Sequence, residues 1–313
     1  MMNIMKPLTC VVAATAVFTS VTCAVSAEPV NQSPACAAPV VAAHRGGNYF
    51  TQSTARNFTA SAAAGARVWE TDVRFDRNNV PFLLHDPDLG SFGAPGLNIA
   101  AATGAQVDAL RAPDGSTVET LYDLEQQILH TPGQTALIEL KVRPTSAQWT
   151  LVDARVKPVA SRVWIASFDP AVVRAAARRG YQTAQIDRHA TPRGAAAVRA
   201  LGTAYESEWS RLTASYVAQL ATAGVSTYTY TVDTPAEWAH ALTVGAVPLT
   251  DDVTGYLDWY RTVGCTMTAK DDLAPVPPRP GHDRAVRRAL ARRPLSRRST
   301  APGQLEQLLP APL

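Results

Sequence analysis

Residues 163–206 read VWIASFDPAVVRAAARRGYQTAQIDRHATPRGAAAVRALGTAYE, and this stretch decides the fold. Val163–Ser167 is a five-residue apolar run, short enough for a strand buried on both faces. Pro170–Arg179 follows, with Pro at a helix start and apolar residues at helical spacing. Thr183–Ile186 is again strand-like, Arg193–Ala200 helical, and Ala204–Glu206 strand-like. Strands that alternate with helices pair in parallel, because each helix carries the chain back across the sheet.

Working outward, the same alternation runs in both directions. Upstream, Val40–Ala43 precedes an Ala-rich helical stretch, Ala55–Ala64, which Gly65 stops. Val68–Val73 and Ala136–Leu140 are further strands. Val80–Leu84 follows an Asn78-Asn79 turn and suits a hairpin arm rather than a crossover. Downstream come Thr213–Ala223 (helical), Ser226–Val232 (strand), Pro235–Val244 (helical) and Val247–Leu249 (strand). Eight strands alternating with helices over roughly 225 residues predict a single-domain α/β protein, a (β/α)8 TIM barrel spanning 39–265. An open doubly wound sheet is the runner-up, but no Gly-rich phosphate loop opens a helix after the first strand.

Composition agrees. Of 313 residues, 46% are hydrophobic and 18% charged, which suits a globular core and excludes a disordered chain. The net charge of +3 is uneven. Residues 266–313 hold nine Lys/Arg against four Asp/Glu and eight of the 23 prolines, and read as a disordered basic tail. Residues 1–27 read as a cleaved signal peptide: Lys6, an uncharged stretch from Pro7 to Val21, then small residues ending at Ala27. With residues 28–38 as a lead-in, the chain is expected to be secreted and monomeric, without a nucleic-acid partner. Cleavage leaves Cys36 and Cys265, an even pair that brackets the barrel and is a candidate disulfide. Closing so long a loop contributes up to about 5 kcal/mol in chain-entropy terms.

Polar residues gather where strands end, the place where barrels of this type keep their chemistry. His44 and Arg45 end the first strand before Gly46-Gly47. Glu70 and Asp72 lie two apart on the second strand and so point to one face. Glu139 and Lys141 repeat that spacing on the third, and His85-Asp86 closes the hairpin. Three carboxylates converging on one mouth call for a hard cation, Ca²⁺ or Mg²⁺. Two histidines, an arginine and a lysine beside them suit proton transfer around an anionic substrate, most simply a phosphate ester.

These motifs together resemble the glycerophosphodiester phosphodiesterase family. Ala43-His44-Arg45-Gly46-Gly47 is similar to its His-Arg-Gly opening, Glu70-Thr71-Asp72-Val73 to its Glu-x-Asp-Val, and Leu83-Leu84-His85-Asp86 to its His-Asp. Ile138-Glu139-Leu140-Lys141 and Ser167-Phe168-Asp169 are similar to later motifs, as are Tyr228–Asp233 and Thr250-Asp251. The resemblance covers about residues 39–262. It implies metal-dependent hydrolysis of glycerophosphodiesters to sn-glycerol 3-phosphate and an alcohol. Glu70, Asp72 and Glu139 would bind the metal, His44 and His85 would act as general acid and base, and Arg45 and Lys141 would hold phosphate and charge. The route it implies has the substrate's own glycerol hydroxyl attack phosphorus, giving a cyclic phosphate that water opens. Two positions depart from the family pattern. Gln52 replaces a carboxylate after the first strand, and Tyr230 stands where a tryptophan is usual.

Two rival readings remain at this level. One is a phospholipase-D-like enzyme acting on lysolipid or sphingomyelin. The other is a non-catalytic barrel whose basic tail touches anionic membrane or cell wall.

Overall fold

The computed structural model describes residues 39–189 and 192–266. The expected signal peptide, the lead-in with Cys36, and the basic tail from Met267 onward lie outside the described residues. So does the Cys36 half of the expected disulfide.

The chain runs β1 (Ala42–Ala43), α1 (Ala55–Ala64), β2 (Val68–Phe75), β3 (Pro81–Leu83), β4 (Asp88–Leu89), β5 (Ala94–Asn98), α2 (Gly104–Asp108) and α3 (Leu121–His130). It continues β6 (Thr135–Leu140), α4 (Ser146–Val156), β7 (Val163–Ser167), α5 (Pro170–Arg178), β8 (Gln182–Asp187), α6 (Ala195–Arg199) and β9 (Ala204–Glu208). It ends α7 (Ala214–Thr222), β10 (Ser226–Tyr230), α8 (Pro235–Val244), β11 (Val247–Thr250) and α9 (Val253–Trp259).

Eight parallel strands close on themselves in the order β1-β2-β6-β7-β8-β9-β10-β11. The ring is sealed because Ala42 of β1 pairs with both Val68 and Leu249. This is the predicted (β/α)8 barrel, and β3 lies antiparallel on β2 as the predicted hairpin arm. The predicted helices at 55–64 and 235–244 match their observed bounds.

Alternation along each strand sorts the side chains. On β2, Trp69 and Val73 pack outward in the large core between barrel and helices, while Val68 packs inward. On β6, Ile138 and Leu140 face out and Leu137 faces in. The inner core is made of small and medium residues such as Ala42, Ala166, Ala184 and Ala204, filled around by Trp164 and Tyr228. This apolar plug fills the barrel's lower part. The next inward positions along β2, β6 and β9, towards their C-terminal ends, are acidic.

Residues 84–120 form a layer of their own between β3 and α3, which the strand count does not reveal. Leu84, Leu89, Phe92, Ile99, Val107 and Val118 are buried against Phe82. Asp88 ties the small β4–β5 hairpin by accepting from the backbone N–H groups of Gly90 (2.7 Å) and Gly96 (2.6 Å). Among the described residues, no helix is long and apolar enough to cross a membrane.

Candidate active site

The first strand ends in a backbone that only a tight fit would hold. Arg45 sits in the left-handed region at φ 50°, followed by Gly46 at φ 83° and Gly47 at φ 94°. A β-carbon on Gly46 would meet the Phe58 ring at 2.9 Å, so this turn excludes larger residues. Strain at a non-glycine residue persists only where its surroundings over-determine it. Here the Arg45 N–H donates to Glu70 Oε2 at 2.9 Å, and the Arg45 carbonyl accepts from the Ser53 N–H at 2.7 Å. The turn throws both His44 and Arg45 over the barrel mouth.

All seven expected site residues come together. A cavity of about 110 Å³ at the C-terminal ends of the strands is lined by His44, Arg45, Glu70, Asp72, His85, Glu139 and Lys141. Its far wall carries Phe168, Ile186, Glu206 and Tyr230. Lys141 Nζ lies 3.1 Å from Asp72 Oδ1 and 3.0 Å from Glu139 Oε2. Arg45 Nε lies 3.4 Å from Asp72 Oδ2, and its Nη1 donates to Gln52 Oε1 at 3.2 Å. The departure at Gln52 thus gives Arg45 a neutral partner in place of a charged one.

Each histidine is held at Nδ1 by an aspartate. His44 Nδ1 is 2.8 Å from Asp251 Oδ1 and His85 Nδ1 is 2.8 Å from Asp86 Oδ1. Such a contact places the N–H on Nδ1 and leaves Nε2 for chemistry. His44 Nε2 points back toward Glu70, 4.0 Å from Oε2. Asp251 is itself fixed by Asp233, whose Oδ1 accepts from the Asp251 N–H at 2.7 Å and the Thr250 hydroxyl at 2.9 Å. The sequence marked Thr250-Asp251 as similar to a family motif without giving Asp251 a role. Its link to His44 spans 207 positions and no local spacing signals it.

Electrostatics at the mouth are out of balance. Burial pushes the Glu70 carboxyl well above its ordinary range, and the Asp72 and Glu206 charges push it further. Burial, then Asp72, raises Glu139 to about 7 against the pull of Lys141. Burial, then Glu139 and Asp72, raises Glu206 to about 8. Asp72 is the exception. Burial would raise it, but Lys141 and Arg45 hold it below its ordinary value. Burial lowers His85, opposed by Asp72, which favours the neutral ring.

Four buried carboxylates therefore face two cations, Arg45 and Lys141. Buried Oδ2 of Asp72 and Oε1 of Glu206 have no hydrogen-bond partner. Among the described residues, no three acidic, histidine or cysteine groups are drawn in as a ready-made cation cage. The Lys141 ammonium instead bridges two of the three expected ligands. The donor set is oxygen only and buried, and full ionisation of its four acids would leave two charges unmatched. Burial and that excess push Glu70, Glu139 and Glu206 toward the protonated form. In charge and hardness that fits a divalent cation of the Ca²⁺ or Mg²⁺ kind.

The Ser167-Phe168-Asp169 motif is mostly architectural. Ser167 donates to the Leu140 carbonyl at 3.0 Å, and Asp169 caps α5 by accepting from the Ala171 N–H at 2.8 Å. Only Phe168 reaches the cavity, edge-on to Tyr230 at 6.4 Å.

A parallel eight-stranded barrel with acidic, basic and imidazole groups gathered at its C-terminal mouth is the architecture of a barrel enzyme. The chain belongs to the glycerophosphoryl diester phosphodiesterase family, whose pattern matches residues 44–255. By that membership it is a phosphoric diester hydrolase, a glycerophosphodiester phosphodiesterase.

The fold is shared with solved structures. An Oleispira antarctica phosphodiesterase in complex with the product sn-glycerol-3-phosphate superposes with a TM-score of 0.63 at 16% identity, over 72% of this chain and 97% of that one. A glycerophosphodiester phosphodiesterase from Parabacteroides distasonis gives 0.63 at 20%, over 71% and 96%. One from Agrobacterium tumefaciens gives 0.60 at 19%, over 71% and 98%. Comparison with curated proteins finds no match.

Proposed function

We propose that this protein is a secreted, divalent-metal-dependent enzyme that cleaves glycerophosphodiesters to sn-glycerol 3-phosphate and an alcohol. The observation that carries the reading is the joint placement, around one cavity, of two aspartate-held histidines, Arg45 and a buried cluster with more carboxyl groups than cations.

Glu70, Asp72 and Glu139 would hold the cation, Ca²⁺ or Mg²⁺. When bound it supplies Lewis-acid neutralisation of the phosphate's charge. Arg45 binds a phosphate oxygen, its guanidinium aimed by Asp72 and Gln52. One histidine takes the proton from the glycerol hydroxyl as its oxygen forms a bond to phosphorus. The bond from phosphorus to the leaving alcohol's oxygen breaks, and the other histidine supplies that oxygen's proton. Water then opens the cyclic phosphate, with the two histidines exchanging roles. Lys141 keeps Asp72 and Glu139 together and balances their charge throughout. In the same reading Cys36 and Cys265 form a disulfide.

The test is release of sn-glycerol 3-phosphate from glycerophosphocholine by residues 28–313, with Ca²⁺, with Mg²⁺ and with chelator. Metal-dependent release supports the reading. Choline release from lysolipid without sn-glycerol 3-phosphate would favour the phospholipase-D-like alternative. Absence of any turnover would favour a binding protein.

A further inference from the structure

Glu206 has no place in the chemistry above, yet it is a buried acid with an open acceptor at the same cavity. It stands on β9, the next inward position after the plug residue Ala204 toward the strand's C-terminal end, with its backbone paired to Ile186 and Tyr228 on the neighbouring strands. It is 3% exposed, its Oε1 is buried without a hydrogen-bond partner, and it lines the same cavity as the histidines. No Lys or Arg forms an ion pair with it among the described residues, whereas Asp72 has both Arg45 and Lys141. The cavity it lines also carries Phe168, Ile186, Tyr230 and Leu249, and the charges of Glu139, Asp72 and Lys141 act on it.

A buried acceptor with no donor is costly, and such groups in native proteins are met by a ligand or by water. The wall decides what kind of ligand. Glu206 shares the cavity with Asp72, Glu139 and Lys141, but unlike Asp72 and Glu139 it has no cation paired to it among the described residues, and its neighbours on the adjacent strands are Ile186 and Tyr228. An acceptor left open beside such side chains suits a hydroxyl. A small hydroxylated carbon chain fits this combination: carbons against Ile186, Leu249 and Phe168, with an O–H to the carboxylate.

We propose that Glu206 is a substrate-binding, specificity-determining residue that accepts a hydrogen bond from the terminal hydroxyl of the glycerol moiety. The inference rests on the reading that the site cleaves glycerophosphodiesters. It adds that the enzyme selects glycerol over shorter-functionalised alcohols through this one acceptor. A site built around a buried acceptor rejects an analogue lacking the donor, because the acceptor is then left unpaired.

The experiment compares glycerophosphocholine with 2-hydroxypropyl phosphocholine, which keeps the attacking hydroxyl but lacks the terminal one. Wild-type protein, Glu206→Gln and Glu206→Leu are assayed at saturating Ca²⁺, and Ca²⁺ affinity is measured by calorimetry. Wild type is expected to favour the glycerol substrate in kcat/KM by about 10- to 100-fold, the loss expected when a buried hydrogen-bonding group is left unpaired. Glu206→Leu is expected to bring that ratio within about threefold of one, mainly through KM, while Glu206→Gln, which keeps an oxygen acceptor, retains part of it. Ca²⁺ affinity is expected to stay unchanged in both.

A ratio near one in wild type overturns the inference and leaves the hydrolase reading standing. An equal loss on both substrates in Glu206→Leu overturns it in favour of a structural role. A fall in Ca²⁺ affinity overturns it in favour of cation ligation. Turnover of neither substrate by wild type removes the hydrolase reading itself.

Discussion

His44, at the end of the first barrel strand, is joined to Asp251, just past the end of the last, by a 2.8 Å contact between Nδ1 and Oδ1. The contact crosses the seam where the barrel closes, next to the Ala43–Thr250 pairing of β1 with β11. Closure of the fold and orientation of the imidazole proposed as catalytic are thus one event. Replacing Asp251 by Asn keeps the shape but removes the charge that favours the Nδ1–H tautomer. The expected result is a fall in kcat of about 10- to 100-fold with little change in KM, because second-layer partners of this kind act on chemistry more than binding. Steady-state kinetics on glycerophosphocholine checks it.

Lys141 stands between Asp72 and Glu139, its side chain 12% exposed. Removing one partner from a buried charge cluster leaves the others uncompensated, at a cost of about 3 kcal/mol or more. Lys141→Met is therefore expected to melt well below wild type in chelator and to lose turnover. Added Ca²⁺ should recover part of the melting temperature, because a cation restores balance to the same carboxylates. Thermal melts with and without Ca²⁺ read both effects.

Stability should fall with rising pH in metal-free protein. Glu139 and Glu206 are raised from 4.5 to about 7 and about 8, so between those limits the folded chain holds protons that the unfolded chain has released. Stability contributed by these groups is complete below pH 4.5 and is lost as pH rises through about 8. Cation binding by Glu139 displaces its proton, so Ca²⁺ should raise the melting temperature more at pH 8 than at pH 5.5. A Ca²⁺ effect equal at both pH values would mean the carboxylates are not its ligands.

The proposed Cys36–Cys265 disulfide predicts that mature protein, denatured without reductant, titrates with no free thiol. Reduction should lower its melting temperature. Two titratable thiols per chain would rule the bridge out.

How much of this was legible in the sequence follows from which spacings are local. The two-residue steps Glu70/Asp72 and Glu139/Lys141 record the strand period directly, and the structure places all four at one mouth. His44 and His85 were legible because each ends a strand-like run. Glu206 was not, although Glu206 and Glu208 repeat the same two-residue step on β9, because none of the motifs read from the sequence falls on that strand. Asp251 had a motif but no visible partner, since its contact with His44 forms only when the barrel closes. The 84–120 layer escaped because its strands are two and five residues long and its core is built from residues too scattered for periodicity to show.

The central claim is that His44 and His85 together carry metal-dependent release of sn-glycerol 3-phosphate. The most direct test is single-turnover release from glycerophosphocholine at saturating Ca²⁺ by wild type, His44→Ala and His85→Ala, with Ca²⁺ affinity measured alongside. Each variant should lose about 10²- to 10⁴-fold in rate while binding Ca²⁺ as wild type does. Near-wild-type release by either variant, with Ca²⁺ affinity intact, would contradict the two-histidine account.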